Sequence, residues 1–235
     1  MEQGSNGFLA SLPPELRKQV QGQMRILRAK RGQSLLGRGT ASTDIYFVLE
    51  GSFNVIIYSA SGREVSLRAL SEGDTFGELA AVDGLPRTAA VVAQRDARVA
   101  ALRREDFLAA VRASPDTALW LARLLTAKVR DMNERLFELS ALNVQARLHC
   151  ELLRIAKTTP PAANGRREAS EAPTHIELAN RIGTHREAVT REMGVLAERG
   201  IIEFERRRLA FLDLSRLEQL VGQAVGDLLE LPPVR

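Results

Sequence analysis

Short apolar runs alternate with glycines between residues 34 and 102. The runs lie at residues 45–49, 53–58, 65–70 and 89–93, and the glycines at Gly51, Gly62, Gly73 and Gly84. Short strands that turn at roughly ten-residue intervals are typical of a small antiparallel barrel or roll. We therefore predict a small barrel or roll here, with most of its glycines in hairpin turns. Residues 1–30 instead have the pattern of short helices, one of which begins near Pro13-Pro14.

A heptad pattern follows the predicted roll. Its apolar positions are separated by 3, 4, 3, 4 and 3 residues, at Ala122, Leu125, Val129, Met132, Leu136 and Leu139. This spacing predicts one long helix from Asp116 to about Leu142 with a partner helix along the seam. Charged neighbours favour a second copy of the chain as the partner. A seam buried by the same chain would give a similar pattern.

The segment Phe76-Gly77-Glu78-Leu79 is followed closely by Arg87-Thr88. A carboxylate accepts a hydrogen bond from a ribose 2′-hydroxyl, and a planar guanidinium holds phosphate oxygens at two points. Gly77 allows close approach to the backbone, and a short helix over residues 78–82 would direct N–H groups towards an anion. A Gly-Glu pair alone is an ordinary turn, but the whole set suits a cyclic sugar phosphate.

A capping box and a glycine mark two short helices in the C-terminal third. Thr174 and Glu177 have the capping-box spacing, and Gly183 allows the left-handed turn before a second helix that opens at Thr184. Val189, Met193 and Leu196 share one side of that helix. The other side bears Arg186, Glu187, Thr190 and Arg191. This is the pattern of a DNA-reading helix-turn-helix.

The residues on the outer side suit base edges, although simpler roles exist. Arginine pairs with guanine and glutamate accepts from cytosine. The alternatives are a solvated helix face for the arginines and, for Glu187, a cap on the Thr184 N–H. Behind this helix, two alternating runs flank residues 206–208 and resemble a winged hairpin. Arg207 at its tip would contact phosphate, or would lie in an exposed turn without a partner.

Three segments resemble the cyclic AMP receptor protein (catabolite activator)/FNR family of bacterial regulators. They are Tyr46 to Gly51, Gly73 to Leu79 and Gly183 to Arg191. The resemblance implies an α+β protein with an N-terminal cyclic-nucleotide-binding β-roll of the jelly-roll type over residues 1–115. It further implies a long dimerisation helix over 116–142 and a winged helix-turn-helix DNA-binding domain over 143–235.

The resemblance also implies site roles and partners. Cyclic AMP or cyclic GMP is expected as allosteric effector at Gly77, Glu78, Leu79, Arg87 and Thr88, with Met132 and Asn133 at the purine positions. Met132-Asn133 replaces the Thr-Ser pair usual in the family, so base selectivity is open. The implied partners are a second subunit, RNA polymerase and double-stranded DNA. The half-sites would be similar to GTGA, read by Arg186, Glu187 and Arg191.

Composition excludes several other classes of protein. A lone Cys150 rules out an intramolecular disulfide framework and favours a reducing cytoplasm, and no apolar run is long enough to span a membrane. His149, His175 and His185 have no metal-ligand spacing, so we expect neither an enzyme nor a metal site. From residue 143 onward, 14 Lys or Arg oppose 13 Asp or Glu, so charge alone does not indicate DNA. Two alternatives stay open: a cyclic-nucleotide-binding subunit that does not read DNA, and a family member without ligand control.

Overall fold

The computed structural model describes residues 6–60, 62, 64–162 and 166–226. The chain divides into two compact units, Met1–Lys128 and Val129–Arg235, and the division falls inside one long helix. Within the described ranges, no helix has the length and apolar character needed to cross a membrane. Nor do three or more His, Cys, Asp or Glu side chains of those ranges cluster as metal ligands would.

Two antiparallel four-stranded sheets form the core of the first unit. The strands are β1 (Arg25–Ala29), β2 (Ser34–Leu36), β3 (Ile45–Glu50), β4 (Phe53–Tyr58), β5 (Glu64–Leu70), β6 (Thr75–Phe76), β7 (Ala90–Ala93) and β8 (Ala97–Leu102). The sheet orders are β1-β8-β3-β6 and β2-β7-β4-β5. The predicted roll is confirmed, and the four predicted apolar runs are β3, β4, β5 and β7.

Short helices flank the sheets of this unit. They are α1 (Asn6–Ala10), α2 (Pro14–Gln23), α3 (Glu78–Asp83) and α4 (Arg104–Ala113). The prediction of helices throughout residues 1–30 is wrong after Gln23, because β1 pairs with β8, with Arg25 opposite Ala101. This long-range pairing satisfies the backbone of β1, and nothing in the local sequence indicates it. Phe8 of α1 stacks on Phe47 with ring centroids 5.0 Å apart, which fixes α1 on the sheet.

The long helix α5 spans Pro115–Ala141 and confirms the heptad prediction to within a residue at each end. Its apolar seam is exposed from Val129 to Leu139, and Met132 is 69% accessible. The described residues of the second unit therefore do not bury the seam, and its partner stays a prediction. Four exposed apolar residues at heptad spacing form a surface that suits another helix.

The second unit is a helical domain with a small sheet. It contains α6 (Val144–Thr158), β9 (Arg167–Ala169), α7 (His175–Ile182), α8 (Arg186–Glu198), β10 (Ile202–Glu205), β11 (Arg208–Phe211) and α9 (Leu214–Val225). The predicted wing, β10 and β11, gains a third strand that the sequence pattern did not indicate, in the order β10-β11-β9. Leu217 and Val221 of α9 are buried, so the tail helix belongs to the core of this unit. Its predicted end at Pro232-Pro233 lies outside the described residues.

A charge network joins the end of α5 to the helix-turn-helix. Arg154 of α6 forms ion pairs with Glu138 of α5 and with Glu151. Arg181 of α7 donates to the other oxygen of Glu151 at 3.0 Å. Because Glu151 is buried between two guanidinium groups, its charge is compensated where water cannot reach it.

Candidate functional site

Gly77 lies between β6 and α3 in the left-handed region, with φ of 81°. A Cβ at this position would lie 2.7 Å from Nη1 of Arg87 and 2.9 Å from the carbonyl oxygen of Asp44. Any side chain would therefore be strained and would displace the arginine. Gly77 thus allows close approach by the Arg87 side chain, whereas close approach by a ligand stays a prediction.

Arg87 is buried, and three of its N–H groups donate to the protein. Its Nε donates to Ser42 Oγ at 3.0 Å, Nη1 to the Gly77 carbonyl at 2.8 Å and Nη2 to the Asp44 carbonyl at 2.6 Å. The ring of Tyr46 lies beneath the guanidinium at 5.6 Å. Burial lowers the pKa of Arg87 from its ordinary value, and the nearby Tyr46 and Asp44 oppose that shift. The arginine thus connects three separate segments of the roll.

Glu78, the first residue of α3, is 4% exposed. Its carboxylate pairs with Lys128, whose Nζ lies 2.9 Å from Oε1. The same Nζ donates to the carbonyl of Thr75 at 3.2 Å. A buried carboxylate needs such compensation, and here the cation comes from α5, which lies about fifty residues further along the chain. Glu78 thus directly follows Gly77, and Arg87 bonds to the Gly77 carbonyl.

The other predicted ligand residues lie in more open positions. Leu79 in the first turn of α3 and Thr88 just before β7 are both exposed. Met132 and Asn133 are exposed on the part of α5 that belongs to the second unit. The structure therefore brings five of the predicted residues together in one unit, and the purine role of the other two stays a prediction.

The second unit has the predicted helix-turn-helix geometry. Thr174 and Glu177 form both bonds of a capping box, and Gly183 takes the left-handed conformation that ends α7, with φ of 68°. Helix α8 begins at Arg186 rather than at Thr184, with His185 as its N-cap residue. The Thr184 N–H, the group that Glu187 would cap in its alternative role, donates to the carbonyl of Ala179 at 3.0 Å.

One side of α8 is buried and the other is exposed. Val189, Met193 and Leu196 pack in the core. Arg186, Glu187, Thr190 and Arg191 are all exposed on the opposite side. We call these four residues the reading face. The buried side is fixed further by Glu192, which lies 2.7 Å from Nε2 of His149 and accepts from Gln145 at 2.9 Å.

The wing ends in a two-residue turn, Arg206-Arg207, and Arg206 has a positive φ of 55°. Arg207 lies 3.6 Å from the capping-box carboxylate of Glu177, so the wing tip contacts the start of α7. Arg208 donates two hydrogen bonds to Glu168 of β9, at 2.6 and 2.7 Å. The predicted phosphate-contacting arginine is therefore partly engaged, and the alternative of a tip without a partner is wrong.

Three residues that the sequence argument missed complete these sites: Ser42, Lys128 and His175. Ser42 and Lys128 contact Arg87 and Glu78 from segments distant in sequence. Lys128 could have been noted as the residue one helical turn before Met132. Neither Ser42 nor His175 lies in a motif that would have identified it. His175 contacts Thr190 of the reading face, with Nδ1 2.8 Å from Oγ1.

Comparisons with known proteins match both units of the chain. A family model of the cyclic nucleotide-binding domain matches residues 26–114, and a Crp-like helix-turn-helix model matches residues 146–220. A cyclic AMP receptor protein of Thermus thermophilus is 30% identical over 191 residues, which cover 81% of this chain and 85% of that protein. The chain belongs to the CRP/FNR family.

Other members of this family are similar over nearly the whole chain. A CRP-like cAMP-activated global transcriptional regulator of Mycobacterium tuberculosis is 25% identical over 90% of this chain and 94% of its own length. A crystal structure of a CRP/FNR transcriptional regulator from Thermus thermophilus matches with a TM-score of 0.70 and 26% identity, covering 85% of this chain and all of that one. The protein is thus a DNA-binding transcription regulator with a cyclic nucleotide-binding domain, not an enzyme.

Proposed function

We propose that this CRP/FNR regulator is gated by a cyclic nucleotide and acts as a homodimer on palindromic DNA sites. The observation that carries the proposal is that Glu78 and Arg87 are both buried next to Gly77. A carboxylate that could accept from a ribose hydroxyl and a guanidinium that could donate to a phosphate both belong to the unit that matches the cyclic nucleotide-binding domain, which supports the proposal. The M. tuberculosis relative is named as cAMP-activated, which supports the same class of effector.

In this proposal each side chain has one role. Glu78 accepts from the ribose 2′-hydroxyl, while Lys128 orients its carboxylate. Arg87 has five N–H groups, of which three are used by Ser42, Gly77 and Asp44, so a phosphate would take the rest. Leu79 and Thr88, both exposed, would also contact the nucleotide. Asn133 can donate to and accept from a purine edge, whereas Met132 offers apolar contact, so cyclic AMP and cyclic GMP are both candidates.

One observation favours a second candidate, a family member without ligand control. Each of the three Arg87 nitrogens already donates to the protein, so the guanidinium is held in place without an anion. Calorimetric titration of the purified protein with cyclic AMP and cyclic GMP separates the candidates. Saturable heat with either nucleotide supports gating. The absence of heat with each of the two nucleotides would favour the ligand-independent candidate.

The dimer is proposed to form along the exposed seam of α5. Leu136→Asp places a charge at the centre of that seam, where burial without a partner costs several kcal/mol. We expect monomers by analytical ultracentrifugation at micromolar concentration. The control Glu134→Lys changes charge on the far side of the helix and should stay dimeric. A monomeric wild type would contradict the dimer.

Paired recognition helices set the geometry of the proposed DNA site. In a two-fold dimer they enter successive major grooves, so half-site centres should be about 34 Å apart. Arg186, Glu187, Thr190 and Arg191 would face base edges and Arg207 a phosphate. A nucleotide gates binding only if its affinity differs between the dimer geometries that do and do not fit both grooves. RNA polymerase would then be the partner through which the bound dimer regulates transcription.

A further inference from the structure

His175 lies between the reading face and the wing. Its Nδ1 is 2.8 Å from Oγ1 of Thr190 on α8. Its ring also lies on Phe204 of β10, with centroids 4.9 Å apart at 30°. A single imidazole therefore contacts the recognition helix on one side and the wing on the other.

The surroundings of His175 favour the neutral imidazole. Burial and the nearby Arg186 lower its pKa below the ordinary value. Nε2 is buried and has no hydrogen-bond partner among the described residues. A buried N–H without an acceptor is rarer and more costly than an acceptor without a donor. The proton therefore belongs on Nδ1, which donates to the Thr190 hydroxyl oxygen.

This hydrogen bond determines whether the Thr190 hydroxyl can act as a donor. A threonine hydroxyl in a helix often donates to the carbonyl four residues earlier, as Thr126 does to Ala122 at 2.8 Å. No such bond from Thr190 to the Arg186 carbonyl occurs among the contacts of the described residues. With Oγ1 accepting from His175, its own O–H remains to donate outwards from an exposed position.

We propose that His175 is a positioning residue for DNA reading, which holds the Thr190 hydroxyl as a donor towards an acceptor on a base edge. Guanine N7 or O6, adenine N7 and thymine O4 are the acceptors of this kind in the major groove. Phe204 keeps the imidazole in place from the wing. The inference rests on the proposed DNA-reading function, because it assigns a role within the same reading face.

A double-mutant cycle on the full-length protein tests the assignment. The preferred duplex is first selected from a randomised pool with the wild type, in the presence of cyclic AMP and cyclic GMP. Affinities for this duplex and its single-base variants are then measured for His175→Phe, Thr190→Val and the double variant. His175→Phe keeps a ring on Phe204 but has no nitrogen, and Thr190→Val keeps the shape but has no hydroxyl.

We expect each single change to lower the preference at the same base pair by about threefold to tenfold. The double variant should be no worse than either single one, because both remove one interaction. His175→Asn, whose amide can donate near the Nδ1 position, should restore part of the preference. The thermal stabilities of these variants should not follow the order of their base-pair preferences. Additive effects, or effects at different base pairs, would overturn the positioning role, whereas a wild type that selects no sequence would overturn the proposed function itself.

Discussion

The predicted ligand residues of the first unit, which we call the ligand cassette (Gly77, Glu78, Leu79, Arg87 and Thr88), differ from the reading face in how far the fold already engages their charged groups. Glu78 and Arg87 are buried, and each is bonded to segments distant in sequence. The arginines and the glutamate of the reading face are exposed on a helix whose opposite side supplies the packing. The cassette residues should therefore support folding as well as binding, while the reading face should affect binding alone.

The chain provides one reporter for each unit. Its single tryptophan, Trp120, belongs to the first unit and packs on Phe8. Its single cysteine, Cys150, belongs to the second, where burial raises the pKa of the thiol to about 11. Trp120 fluorescence thus follows unfolding of the cassette unit. Because only the exposed thiolate reacts, Cys150 labelling follows opening of the DNA-binding unit.

Arg87→Leu should have the largest effect on stability. It leaves the carbonyls of Gly77 and Asp44 without their donor and removes a cation from beside Tyr46. We expect a loss of about 3 to 5 kcal/mol in the free energy of unfolding, measured by Trp120 fluorescence in denaturant. Arg87→Lys keeps the charge but not the planar guanidinium. Its free energy of unfolding should lie between those of the wild type and Arg87→Leu. An unchanged Trp120 transition would show that the arginine serves binding only.

Lys128→Met should have the next largest effect. It leaves the buried Glu78 carboxylate without its cation, which should cost about 1.5 to 3 kcal/mol in the same assay. The double variant Lys128→Met/Glu78→Gln removes both charges and should recover part of that loss. Failure of the second change to recover stability would mean that the pair is not coupled as described.

Arg186→Ala and Arg191→Ala should leave both reporters unchanged. Each should cost about 1 to 3 kcal/mol in binding to the preferred duplex and relax base choice at one position. The readouts are fluorescence-anisotropy titrations against single-base variants, together with the rate of Cys150 labelling. Faster labelling in either variant would contradict the expected difference between the cassette and the reading face, because it would assign the reading face a role in folding.

Arg207→Ala should have the smallest effect. Its ion pair with Glu177 is long and partly exposed, so the change in stability should stay within about 0.5 kcal/mol. Affinity should fall by a similar factor for all DNA sequences. The slope of log affinity against log salt concentration should decrease in magnitude by about 1. Arg206→Ala is the matched control at the same turn. A sequence-dependent loss for Arg207→Ala would make it a base contact.

The sequence predicted those parts of the fold and sites that depend on local patterns. Glycine spacing located β3, β4 and β5, and the capping box at Thr174 located α7 to the residue. Contacts over long separations could not be predicted, because no local pattern encodes them. Strand β1 forms through its pairing with β8, Ser42 reaches Arg87 across 45 residues, and Lys128 reaches the cassette from another helix.

The central claim is that occupation of the buried cassette controls the exposed reading face. The direct test is a gel-shift titration of the wild type on its selected palindromic duplex without nucleotide, with cyclic AMP and with cyclic GMP. We expect binding with at least one nucleotide to be about a thousandfold or more tighter than without it, where it should be near the non-specific level. Equal affinity under all three conditions would contradict gating, and equal affinity for a scrambled duplex would contradict sequence reading.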